Sequence, residues 1–195
     1  MRIYKLILTV FSCFILGLTL VQAQNAEPVK YRKFAIYGGV GPSYFFNNLV
    51  TGKNGVNSFS YAFSFRAMWE PKGTALSLGI ESGYYVLYTA NYSNPKVDIK
   101  NTAVPLQLVI SMKLTPNWYT NFSIGQSFLY NKVDASSFSG NFSASSISLA
   151  DLGLTLGYRF VNKARISYAA ETKFFFSSSN SDATLAIFFM VGYKL

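Results

Sequence analysis

The chain has no histidine, a single cysteine at position 13, six prolines in 195 residues, and only 13% charged side chains. Each shortage removes a class of function. Without histidine there is no Ser-His-Asp triad, no Cys-His pair and none of the usual zinc centres. Beyond the N-terminus no apolar run is long and uniform enough for a membrane-spanning helix. Charge at this level is low for a soluble surface, yet 50% of the residues are hydrophobic and 17% are aromatic, with 18 Phe and 14 Tyr. That hydrophobicity is distributed by alternation.

The N-terminus reads as a separate object. Arg2 and Lys5 precede an apolar stretch from Leu6 to about Val21, and Val21-Gln22-Ala23 supplies small residues before Gln24. This is the pattern of a cleaved signal peptide over 1–23. Cys13 sits behind Phe11 and inside the apolar run, a poor lipobox. Cleavage after Ala23 removes the only thiol, so disulfides are not expected. It also lowers the formal net charge from +9 to +7 over the remaining 172 residues. Residues 24–32 form a linker in which Lys30 and Arg32 lead to Lys33, a basic cluster suited to anionic lipid headgroups rather than to nucleic acid.

The C-terminal stretch Asp182 to Leu195 alternates without a break. Leu185, Ile187, Phe189, Val191, Tyr193 and Leu195 fall on one face, and Thr184, Ala186, Phe188, Met190, Gly192 and Lys194 on the other. The same period-two pattern recurs at 33–46, 59–70, 75–88, 102–114, 117–130, 146–160 and 164–176. Expected outward residues include Phe34, Ile36, Phe63, Phe65, Leu76, Val86, Tyr88, Leu106, Leu108, Leu154 and Phe174. Pro105 requires a bulge or a strand end for its missing donor. In 146–160 the apolar parity changes midway, which a β-bulge near Ala150 and Asp151 reconciles. The glycines at 38, 39 and 41 match no phosphate-loop spacing.

Eight such strands, joined alternately by long and short connections, predict an all-β chain: an eight-stranded antiparallel up-and-down transmembrane β-barrel over 33–195. The long connections are placed at 46–58, 89–101, 131–145 and 177–182 and assigned to the outside, with both termini periplasmic. Trp69, Trp118, Tyr158, Phe160 and Tyr193 lie at periplasmic strand ends, as an aromatic girdle would. Exposed loops on a rigid wall could bind a partner, with Tyr92, Phe138 and Phe142 as contacts.

The inward parity collects Arg66, Glu70, Glu81, Lys113, Asp151, Arg159, Arg165, Glu171 and Lys173. A barrel of eight strands is just wide enough to be filled by its own side chains, so these charges are expected to pair and plug it. Hairpin pairing places Asp151 almost opposite Lys173 and Arg66 diagonal to Glu81. Asn121 is also expected inside, which makes its glycosylation tripeptide a chance match. The carboxylates Glu70, Glu81 and Glu171 have basic neighbours, so no acid-base pair stands out. No catalytic, cofactor-binding or metal-binding residue is assigned, and the chain reads as non-enzymatic. Expected partners are outer-membrane lipid and lipopolysaccharide, the barrel assembly machinery and one further protein of unspecified identity. The rival functional reading is a narrow pore or transporter for small solutes.

The strand order, the export junction, Val104-Pro105-Leu106, and the run from Leu152-Gly153-Leu154 to Gly157-Tyr158-Arg159-Phe160 resemble the Bacteroidetes outer-membrane β-barrel domain, the PorT-like family. The resemblance spans nearly the whole mature chain. It implies residence in a Gram-negative outer membrane and folding through the barrel assembly machinery. Members include a gliding and type IX secretion component; the resemblance does not imply secretion activity here, and an accessory component of a secretion system stands only as an alternative reading. The family brings no catalytic motif to carry over.

Overall fold

The structure is a computed structural model, and it describes residues 34–47, 55–71, 73–93, 96–135, 140–148, 150–162, 165–177 and 182–195. The expected signal peptide at 1–23 and linker at 24–32 lie outside the described residues, as does Phe138. Ten strands follow one another: β1 Phe34–Phe46, β2 Val56–Asn57, β3 Phe59–Trp69, β4 Leu76–Ser93, β5 Lys96–Lys113, β6 Trp118–Ala135, β7 Gly140–Ile147, β8 Asp151–Asn162, β9 Ile166–Ser177 and β10 Asp182–Lys194. β2 is a two-residue addition to β4, and β7 and β8 are two segments of one stave, so the wall has eight staves.

Every neighbouring pair is antiparallel, and β1 pairs with both β3 and β10. The sheet therefore closes into an eight-stranded antiparallel barrel and leaves no edge around the wall. At the seam Ile36 faces Tyr193 and Val40 faces Phe189. The connections between β3 and β4, β5 and β6, and β8 and β9 are short in sequence and lie at the end that carries Phe34 and Leu195, the termini end. In one of them Gly73 adopts φ 78°, a left-handed conformation that glycine takes at no steric cost. In another, Thr115 Oγ1 accepts from the Trp118 N–H at 3.0 Å and holds the turn into β6.

The outer wall is apolar because the alternation sends its large side chains outward. Phe63, Ile80, Leu108, Leu154 and Ile187 are all exposed on it. The inner parity is buried and mixes small, aromatic and charged residues, among them Ala62, Tyr85, Arg66 and Lys173. The period-two reading of the sequence thus gives the correct face along most of the wall.

Several expectations need correction. The connections at 89–101 and 131–145 are mostly strand: β4, β5 and β6 each run for 18 residues, and β7 pairs back along β6 from Phe128 to Ala135. β3 and β8 to β10 have only 11 to 13 residues, so a sheet of β4 to β7 continues past the barrel. Tyr88 does not face outward: a bulge between Val86 and Tyr88 reverses the parity of β4 beyond it and packs Tyr88 against Phe45, while Val86, on the near side of the bulge, keeps the outer parity but is buried. Pro105 lies in mid-strand rather than at an end or bulge. The β4–β5 register passes from Ser82–Leu106 to Tyr85–Ala103, and the proline occupies that gap. Pro42 sits in the same kind of gap between β1 and β10. The parity change in 146–160 is a bulge as expected: Ser148 bonds to Ser127, while Asp151 already pairs with Gly125.

Candidate functional site

Among the described residues the lumen gathers the buried polar chemistry, and three layers fill it. In the middle layer Arg66 on β3 and Glu81 on β4 are direct cross-strand partners rather than diagonal ones. Arg66 Nε donates to Glu81 Oε2 at 2.8 Å, and its two terminal nitrogens donate to the two oxygens of Glu171 at 2.9 Å each. This fork geometry fixes the guanidinium plane. Lys173 on β9 completes the set by donating from Nζ to Glu81 Oε1 and, at 3.0 Å, to Gln107 Oε1. The four charged side chains are each 3% exposed or less, and their charges cancel.

Neutral donors finish the layer. Tyr119 OH donates to Glu171 Oε1 at 2.6 Å, and Ser123 Oγ donates to Gln107 Oε1 at 3.0 Å. The Asn121 carboxamide, turned so that its oxygen faces the guanidinium, accepts from Arg66 Nη1 at 2.9 Å. Side chains from β3, β4, β5, β6 and β9 therefore meet in one network across the barrel axis. Such a network blocks a narrow lumen because no member can move without leaving a buried charge unpaired.

The second layer lies nearer the chain termini. Tyr37 OH donates to Glu70 Oε1, and Arg159 Nη2 donates to Tyr37 OH at 3.2 Å. Arg159 Nη2 stands 3.9 Å from Glu70 Oε1, and the guanidinium lies over the rings of Tyr37 and Tyr119 at 5.7 and 5.2 Å. Below it opens a vestibule of about 270 Å³ lined by Lys113, Asn117, Trp118, Glu70 and Arg159. Lys113 is an exposed residue of this mouth, and Arg165 is exposed at the same end, so neither joins the buried network. Both lie where a strand ends and the inward parity no longer encloses a side chain.

The third layer is aromatic and was not read from the sequence. Tyr85 stacks on Phe175 at 5.6 Å and meets Phe188 edge-on at 6.1 Å, with all three rings buried. The available signal was bulky rings on the inward parity beside Glu81, Lys173 and Ala186. Small residues make room for the large ones: a Cβ on Gly157 would come within 2.3 Å of the Tyr119 ring, and one on Gly192 within 2.3 Å of the Tyr37 ring.

Asp151 departs from its expected partner. It faces Ser177 across β8–β9, whereas Lys173 faces Thr155. The turn after β8 lies beyond Asn162 instead of being centred there, and a shift of two residues in a turn displaces the register by four. The girdle residues gather at the termini end. Trp118 and Tyr158 pack at 5.0 Å and Tyr158 and Phe160 at 6.3 Å, while Trp69 pairs with Phe34 and Tyr193 with Ile166. Among the described residues no group of three or more His, Cys, Asp or Glu side chains could hold a metal ion.

No family model matches the chain, and no characterised protein matches it by sequence. Its fold does match solved structures. Ail, the attachment invasion locus protein of Yersinia pestis, solved in complex with the heparin analogue sucrose octasulfate, superposes with a TM-score of 0.59 at 14% identity, over 84% of this chain and 99% of Ail. A major outer membrane protein of Thermus thermophilus gives 0.56 at 13% identity, over 85% and 100% of the two chains. Neisserial surface protein A gives 0.53 at 13% identity, over 83% and 97%. What this chain has in common with them is the fold: a closed, small, antiparallel β-barrel.

Proposed function

We propose that this protein is a small, non-enzymatic outer-membrane barrel, sealed through its lumen, that holds a projecting β-sheet outside the membrane as a docking platform. The observation that carries the reading is the unequal length of the staves. About 9–11 residues suffice for a tilted strand to cross a bilayer. β4, β5 and β6 have 18 each, so roughly 25 Å of strand length remains beyond the wall at about 3.3 Å per residue.

One face of that sheet supports docking. Ala90, Ile99, Val133 and Phe142 form a row across β4 to β7, and Tyr92 and Val97 continue it above. Phe142 is 67% exposed and Tyr92 42%. Among the described residues β7 pairs with β6 alone, leaving its other backbone edge open to an added strand. The apolar outer wall supports residence in lipid, and the signal-peptide-like pattern of residues 1–23 supports the outer membrane. The strand around Pro105 and the Gly157-Tyr158-Arg159-Phe160 run support the finer placement in the PorT-like group. Binding of a polyanion such as the heparin analogue bound to Ail is not favoured: Lys100 and Lys132 face each other, but Asp98 and Asp134 form the next row.

The test is single-cysteine labelling of intact cells with a membrane-impermeant maleimide. Cysteines at Lys132 and Phe142 label from outside, and those at Thr115 and Asn117 label only after the outer membrane is opened. Labelling of the turns in intact cells, with protection of the sheet, contradicts the reading.

A further inference from the structure

Most lumen carboxylates stand against a cation. Arg66 and Lys173 bind Glu81 and Glu171, and Arg159 stands beside Glu70. Asp151 has no ion pair among the described residues, although its side chain is 0% exposed. Its Oδ2 accepts from Ser148 Oγ at 2.8 Å, and its Oδ1 has no hydrogen-bond partner. A buried carboxylate left half-satisfied is costly unless something neutralises it.

The register supplies a second acid. Asp151 on β8 faces Ser177 on β9, and Ser177 faces Asp182 on β10, which puts the three in one row across adjacent staves. Asp182 shares the parity of the lumen-facing Thr184, Ala186 and Phe188, and it accepts a hydrogen bond from Asn47 Nδ2 at the end of β1. The Cα atoms of the two aspartates are two strand spacings apart, about 10 Å. In the structure Asp151 Oδ2 accepts from Ser148 and Asp182 Oδ1 from Asn47; rotated toward Ser177, the two carboxylates would place oxygens at about 2.4 Å from a common point. The hydroxyls of Ser177 and Ser127 are buried and likewise without partners. Oxygen donors alone suit a hard cation, and two carboxylates match a double charge.

We propose that Asp151 and Asp182, with the Ser177 hydroxyl between them, bind a divalent cation of the Ca²⁺ class at the end of the lumen remote from the chain termini. The ion ties β8, β9 and β10 together just beyond the aromatic layer. It replaces the missing cation beside Asp151 and gives the orphaned Ser177 hydroxyl a partner.

The full chain, refolded in detergent micelles, is heated with a chelator or with Ca²⁺, and loss of its compact electrophoretic mobility is followed. Ca²⁺ raises the transition temperature of the wild type, as a ligand of the folded state must. The rise disappears in Asp151→Asn and in Asp182→Asn. Ser177→Ala, which keeps both charges, retains a rise but needs several-fold more Ca²⁺ to reach it. Absence of any rise in the wild type overturns the proposal. So does an equal rise in both asparagine variants, which would place the effect on the micelle or the outer wall.

Discussion

Arg66 holds two carboxylates apart by bonding both, so its loss leaves Glu81 and Glu171 facing each other across the lumen with only Lys173 to offset them. Arg66→Ala is expected to lower the unfolding free energy by about 3–5 kcal/mol, the usual cost of breaking a buried ion pair from one side. Urea unfolding of the refolded barrel in lipid vesicles measures it. Gly157 and Gly38 make a sharper comparison. A Cβ at Gly157 collides with the Tyr119 ring and pushes its hydroxyl off Glu171, whereas one at Gly38 meets open space. Gly157→Ala is therefore expected to cost about 1–3 kcal/mol in the same measurement, and Gly38→Ala less than about 0.5 kcal/mol. The charged members of this network were legible because each falls on the polar parity of an otherwise apolar strand. Their partners were only partly so: Arg66 and Glu81 follow from a tight turn, while Asp151 and Lys173 were set four residues out of register by a turn whose centre the sequence does not mark.

Strands with one continuous apolar face, such as β3 and β10, could be read almost residue by residue, because a one-residue slip would put every large side chain in the lumen. The projecting sheet could not. Residues 89–101 and 131–145 are polar and rich in turn-forming types, which read as loops, yet above the wall a strand needs only a partner strand and no lipid-facing band. Bulges cost legibility as well, since the one at Val86 and Tyr88 reverses parity with no glycine or proline to announce it. The closure of the wall rests on β1 and β10, the elements most distant in sequence. Ile36 and Tyr193 are direct partners there. Opposed residues of an antiparallel pair lie within the Cα separation that a disulfide spans. Cysteines at these two positions are expected to cross-link under mild oxidant in the folded protein, shifting its mobility after denaturation. A sheet left open at this seam would give no cross-link.

At the scale of the whole molecule, a wall that suits lipid encloses a lumen that suits nothing mobile. The ionic layer, the Arg159 cluster and the aromatic layer succeed one another along the axis, and each alone would obstruct a bore of this width. The chain's net positive charge is carried outside these layers, whose own charges largely cancel. Small size, a sealed interior and a sheet continuing past the wall are the features on which the proposed docking role rests. The most direct test is the current through planar lipid bilayers containing the purified, refolded protein. A lumen closed by these layers gives a baseline with no reproducible channel steps, in the wild type and in Lys132→Ala alike. Regular steps whose size or ion preference changes in Glu81→Gln would contradict it, because they would place an ion path through the layer described here as closed.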